Sequence, residues 1–208
     1  AKDIGNLSAT QLNALSTTAV ASLSNSQLQG IKAVQLGGLS TTQLNALTSS
    51  QLQSLSDMQL KGMTSSQMAG LSTTQIQTLT SAQVQGLTAP QLNGLSSTQV
   101  QALESADLAA IKGTTLGAVG TAQIQSLSST QVQNLSEAQL KGLNAAQLNA
   151  LDTADVAAMT TTQISQLKPD QLAKLSTTQL QALGTAQVQA LSGAQVRSLT
   201  SSQVASLS

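Results

Sequence analysis

The chain has 208 residues, of which 8% are charged; eight acidic residues balance eight basic ones, and Phe, Trp, Tyr, His and Cys are absent. This composition excludes an aromatic core, a His- or thiol-based active site, a disulfide framework and a positive track for nucleic-acid phosphates. Aliphatic residues and Ala hold the hydrophobic fraction at 40%, so a core is possible, but only one assembled from small pieces.

The opening segment AKDIGN has neither the charged nor the apolar region of a secretion signal, so a targeting signal is expected outside this chain. From Leu7 to Ser206 the chain divides into octapeptides without an insertion or deletion. Position one is aliphatic throughout (Leu7, Leu15, Leu23, Ile31, Leu39, then variants such as Met63, Ile111, Val119 and Met159), and so is position six (Leu12, Val20, Leu28, Met68, Ile76, Val204). Position two is mostly Ser or Thr, position five mostly Gln, and position eight mostly Ala, Gly or Ser, giving L-[ST]-x-x-Q-[LIV]-x-[AGS]. No apolar run approaches the roughly 18 residues of a membrane span, so no membrane insertion is expected.

A continuous α-helix cannot use this pattern. Eight residues at about 100° each overshoot two turns by about 80°, which would wind the apolar positions around the whole cylinder. An unbroken strand would send positions one and six to opposite faces. The repeat therefore contains a break, and the break reads as a helix start. Ser or Thr followed three residues later by Gln is a capping box, as in Ser72 and Gln75. Leu71 and Ile76 then occupy the two positions of a hydrophobic staple, which accounts for both invariant apolar sites.

The variants agree with that reading. Gly120, Asn144, Asp152 and Gly184 at position two are permitted N-caps, and the only prolines, Pro90 and Pro169, fall in the first helical turn. Gly at position eight, as in Gly62, Gly86 and Gly94, suits the close of a short helix and close contact between neighbours. Asp57 with Lys61, Glu137 with Lys141 and Asp170 with Lys174 are spaced i,i+4 inside single octads, as exposed helix pairs. The octads 31–38 and 111–118 depart from the pattern, with Lys32 and Lys112 in place of the cap.

One octad cannot fold alone. Two buried aliphatic side chains at about 1.5–3 kcal/mol each and a cap of about 1 kcal/mol fall short of an ordering cost near 1.5 kcal/mol per residue. The expected fold class is all-α: a solenoid of short capped helices, one per octad, forming a single continuous array over residues 1–208. Positions one and six should turn inward, and Ser, Thr and Gln outward. The number of octads per turn does not follow from the sequence.

Catalytic, cofactor and metal residues are expected to be none. Position-two Ser is engaged as a cap, the seven Lys are scattered, and Glu104 with Asp107 and Asp152 with Asp155 read as acidic capping boxes. Neither an EF-hand loop nor an RTX nonapeptide is present. Asn6-Leu-Ser and Asn134-Leu-Ser match the glycosylation sequon, which any Asn at position eight creates.

The stretch LTAPQLNGL resembles the helix start LTPEQVVAI of TAL-effector repeats, but over one helix start only and without the 34-residue period, so nucleic acid is not an expected partner. A wider resemblance covers the whole chain. LGTAQVQAL, LTSAQVQGL and LSSTQVQAL resemble the LTTAQVQAL-like octapeptides of large bacterial secreted or cell-surface proteins. That resemblance implies an extracellular or cell-surface location and a structural or adhesive role, and names no small-molecule substrate. Two functions follow as expectations: a fibre or stalk that self-associates, or an adhesive or ice-binding surface made of a regular Ser/Thr array. Joining the tail LS to the head AKDIGN completes an octad, so the chain amounts to 26 octads (26 × 8 = 208). The expectation is a segment of a longer array whose open apolar seams, Ile4, Leu7, Val204 and Leu207, drive end-to-end association.

Overall fold

The computed structural model describes residues 2–207. A short 3-10 helix, Lys2–Asn6, is followed by 25 α-helices of four to six residues, one for each octad from 7–14 onward. Among the described residues there is no strand. The chain divides into two compact units, residues 1–110 and 111–208, and the boundary falls at the start of the variant octad 111–118.

Most of the helices start as the capping box requires. In the helix Thr73–Gln77, the Gln75 amide donates to Ser72 Oγ at 3.2 Å and the Ser72 amide donates to Gln75 Oε1 at 3.0 Å. Ser72 is extended (φ −70°, ψ 157°), and so is Leu71 before it (φ −69°, ψ 145°). Two successive extended residues between helical turns make the corner that a straight helix would not allow. Pro90 and Pro169 sit in the first turns of Ala89–Asn93 and Pro169–Leu172, where no amide partner is lost. Glycine plays no left-handed role: no described residue has a positive φ, and Gly62 and Gly94 close their helices in the right-handed region. Gly62 and Gly94 thus close their helices as expected, without a left-handed turn, and also pack closely on the turn beneath.

Stacking fixes the coil. In the first unit the helix Ser81–Gly86 packs on Asp57–Lys61 and on Ser105–Ala110; in the second, Glu137–Gly142 packs on Gly113–Leu116 and on Thr161–Gln166. Packed helices start 24 residues apart (81 − 57), which is three octads, so each unit is a three-sided coil with one octad per side. Positions one and six fill the interior. Position six is at most 4% exposed at every octad from Leu12 to Leu180, which explains how a chain without aromatics sustains a continuous core.

Position five corrects the sequence expectation. Gln does not join Ser and Thr on the outer face; it is buried at Gln51, Gln75, Gln99, Gln139, Gln163 and their equivalents, while the position-two hydroxyls remain exposed.

Candidate functional site

The seam between turns is where most of the chain's polar chemistry is concentrated. Its unit is the buried Gln side chain. Gln67 Oε1 accepts from the Thr64 amide at 2.8 Å, and its Nε2 donates to the carbonyls of Leu36 at 2.9 Å and Leu39 at 2.7 Å. Those carbonyls lie 31 and 28 residues earlier, at the corner of the turn beneath. The Leu36 carbonyl also takes the Leu39 amide at 3.0 Å, and the Gln amide adds the donor that reaches it from the next turn. The same pair of offsets recurs at Gln59, Gln75, Gln83, Gln91 and Gln99 in the first unit, and at Gln147, Gln163, Gln171, Gln179, Gln187 and Gln195 in the second. No buried side-chain nitrogen or oxygen among the described residues lacks a partner.

Sequence reasoning missed this second role, although a signal was present. A capping box accepts Glu as readily as Gln. A chain that repeats Gln at most position-five sites and never places Glu there favours a side chain that donates as well as accepts, which the amide does.

Close approach of the turns adds to the seam. A Cβ on Gly62 would stand 2.4 Å from the carbonyl oxygen of Ala33, and one on Gly94 would stand 2.3 Å from that of Ser65. Amides at position seven bond in the other direction: Asn13 Nδ2 donates to Gly38 O at 2.7 Å and Gln53 Nε2 to Thr78 O at 2.9 Å. Each turn is thus held by one rung pointing back and, at these octads, one pointing forward.

The variant octads change the caps without changing the geometry. Lys32 is extended and has no hydroxyl to offer, yet its amide still reaches Gln35 Oε1 at 2.6 Å. Lys112, with Thr115 in place of Gln, makes no side-chain cap and starts a helix of four residues, Gly113–Leu116. Lys168 is a third such substitution, compensated by Pro169 and by the bond from its amide to Gln171 at 3.0 Å. Around Gly113, Gly117 and Gly142 the missing side chains leave a shallow open depression beside Lys141.

Of the four residues expected at open seams, Ile4 and Val204 are less buried than the position-six residues from Leu12 to Leu180, whereas Leu7 and Leu207 match Leu15, Leu23, Leu191 and Leu199. Ile4, Leu7 and Leu207 are half-buried, and Val204 is 47% exposed. Val196 joins them at 42%. Leu180, Leu183, Val188 and Leu207 line a groove at that end of the second unit.

Two carboxylates are built into the seam. Asp107 and Asp155 occupy position five and are buried, and each accepts from a Ser three octads earlier: Asp107 from Ser81, and Asp155 from Ser129 at 2.9 Å. Burial pushes the Asp155 carboxyl above its ordinary range; the Ser129 bond opposes this and the Asp152 charge adds to it. Asp152 caps the helix as expected, its Oδ1 accepting from the Asp155 amide at 2.7 Å. Of the three i,i+4 pairs, only Glu137 with Lys141 forms an ion pair among the described residues. No group of three or more His, Cys, Asp or Glu side chains is gathered to hold a metal among the described residues. No helix there is long and apolar enough to cross a membrane.

Fold and seam together define a helical repeat array. The ALTTAQ repeat family matches three times, at residues 100–137, 137–169 and 172–208, together about half of the chain, and the chain belongs to that family. No curated protein matches it.

Proposed function

We propose that this chain is a structural repeat array serving as an extracellular or cell-surface fibre or stalk that lengthens by in-register stacking. The observation that carries this reading is the seam: turn after turn presents the same carbonyl acceptors and apolar positions to the turn that lies on it. A seam with no residue-specific partner can be extended without limit, and Val196, Val204 and the groove at Leu180 and Leu183 are the places where a further turn would sit. That turn can be the next octads of the same array or the first turn of a second copy, through Ile4 and Leu7. Zero net charge adds no long-range repulsion to either route. The location rests on the likeness of the octapeptides to those of secreted bacterial proteins. A non-catalytic role is supported by the engagement of position-two Ser as helix caps.

One observation favours the adhesive alternative. Ser49, Ser50, Thr73, Thr74, Ser97 and Thr98 recur every 24 residues on one side of the first unit; all are exposed, with no charged residue in their octads. A regular hydroxyl array of this kind could match a regular lattice. Electron microscopy of the concentrated protein decides between the readings. Uniform filaments that disappear in Val196→Lys/Val204→Lys support the fibre. Discrete rods at every concentration, with binding to ice or to a crystalline polysaccharide, favour the adhesive surface.

A further inference from the structure

Asp155 stands where the seam of the second unit calls for an amide. Its neighbours along the seam show what is required: Gln147 donates to Leu116 and Val119 at 2.9 and 2.7 Å, and Gln163 donates to Val132 and Leu135 at 2.9 and 3.0 Å. By the same offsets, the rung at Asp155 belongs to the carbonyls of Ile124 and Leu127 (155 − 31 and 155 − 28), of which Ile124 O already takes the Leu127 amide at 3.2 Å. An ionised carboxylate has no proton to give to either carbonyl. Asp155 instead accepts twice, from Ser129 Oγ at 2.9 Å and more distantly from the Asp152 amide at 3.4 Å. It does so at 3% exposure.

The surroundings leave few other charges to consider. The helix packs against Ser129–Gln133 beneath and Thr177–Gln181 above, and the flanking helices are Ala145–Ala150 and Thr161–Gln166. None of these carries an acidic or basic residue, nor does Thr121–Gln125, which holds Ile124. The one charged neighbour is Asp152, whose sign disfavours a second negative charge. No cation on these elements compensates a buried carboxylate.

We propose that Asp155 makes this turn a proton-operated rung: the neutral carboxyl donates its O–H to the Leu127 or Ile124 carbonyl, as a Gln amide does elsewhere, and ionisation withdraws that bond. The direction of the pH effect follows from the carboxyl being harder to ionise in the folded chain than in the unfolded one. Its contribution to stability is complete below the ordinary carboxylate pKa and is lost as pH rises through the folded value. The seam should therefore be tightest in acid, the reverse of a chain held by salt-bridged carboxylates.

Carbon-13 NMR of the full chain tests this directly. The Asp155 Cγ resonance should titrate above the ordinary Asp value, and the carbonyl carbons of Leu127 and Ile124 should shift with the same midpoint, which a merely structural Asp would not produce. Asp155→Gln should remove the difference. Its melting temperature should change less between about pH 4 and about pH 8 than that of the wild type, which loses roughly 2–4 °C more over that range. A carboxyl titrating at or below the ordinary value, carbonyl shifts that do not follow it, or an Asp155→Gln protein that keeps the wild-type pH dependence or fails to fold would each overturn the proposal.

Discussion

Gln75 and Leu44, 31 residues apart, meet inside the first unit with Gln75 Nε2 donating to the Leu44 carbonyl at 3.0 Å. The same amide group donates to Leu47 O at 3.2 Å, while Oε1 takes the Ser72 amide at 3.0 Å. One side chain therefore starts its own helix and finishes the turn beneath it. Local capping and long-range stacking depend on the same atoms, which couples the folding of one octad to the presence of another three or four octads away.

The first prediction separates these two duties. Ser72→Ala removes half of the cap at an exposed position and should cost about 1 kcal/mol. Gln75→Leu keeps the volume but takes the side-chain donor from the Leu47 carbonyl and the acceptor from the Ser72 amide, while the Leu44 carbonyl keeps the Leu47 amide at 3.2 Å; at about 1 kcal/mol or more for each of the two, the loss should be about 2 kcal/mol or more. Urea denaturation measures both. A Ser72→Ala variant that loses more than Gln75→Leu would show that capping, not the rung between turns, dominates position five.

How much of this was legible follows from the range of each interaction. The cap and the staple join Ser72 to Gln75 and Leu71 to Ile76, pairs within five residues, so the repeat itself displays them. The three-octad turn depends on the angle at each corner, set by backbone dihedrals such as those of Leu71 and Ser72, and on the reach of Gln to a carbonyl 28 residues away. Neither leaves a trace inside one octad. The amphipathic argument misplaced Gln for a related reason: a polar side chain reads as a surface residue unless its buried partners are known, and those partners are main-chain carbonyls, which look alike at every position. Periodicity alone assigns Ile4 and Val204 to position six and Leu7 and Leu207 to position one.

Glycines at position eight should respond differently to the same substitution. In Gly62→Ala the new methyl would meet the Ala33 carbonyl oxygen at 2.4 Å and its carbon at 2.7 Å, both backbone atoms of the turn beneath. In Gly86→Ala it would stand 3.6 Å from Asp57 Cγ, an ordinary contact. Gly86 is the last residue of its helix and Gly62 the C-cap of its own, both in the right-handed region, so Ala gains at most roughly 0.8–1 kcal/mol of helix propensity at Gly86 and less at Gly62. Gly86→Ala should be neutral to stabilising by up to that amount. Gly62→Ala should lower the melting temperature, because the turns must separate to admit the methyl. Thermal melts followed by circular dichroism distinguish the two, and equal effects would mean that the close approach at Gly62 is not a constraint on stacking.

Deletions test the period itself. Removing residues 71–94 takes out three octads, one full turn of the first unit, and brings each remaining octad back over one from the same side. Removing residues 71–78 takes out one octad. Positions one, five and six stay in phase, and Gln83 can move its bonds from Leu52 and Leu55 to Leu44 and Leu47. The octads that follow then stack on different sides of the coil, so side-chain packing particular to one side, such as Gly86 on Asp57, is exchanged for new pairs. Removing residues 71–74 deletes the staple residue Leu71 and the cap Ser72 and leaves Gln75 joined to Gly70, so every later octad arrives half a repeat out of phase. The expected order of melting temperature is the wild type and the full-turn deletion together, the one-octad deletion somewhat lower, and the half-octad deletion far below, with helical circular dichroism reduced in the last alone. If the half-octad deletion melted with the one-octad deletion, the octad would not be the unit of folding; if the full-turn deletion melted below the one-octad deletion, three octads would not be the unit of stacking.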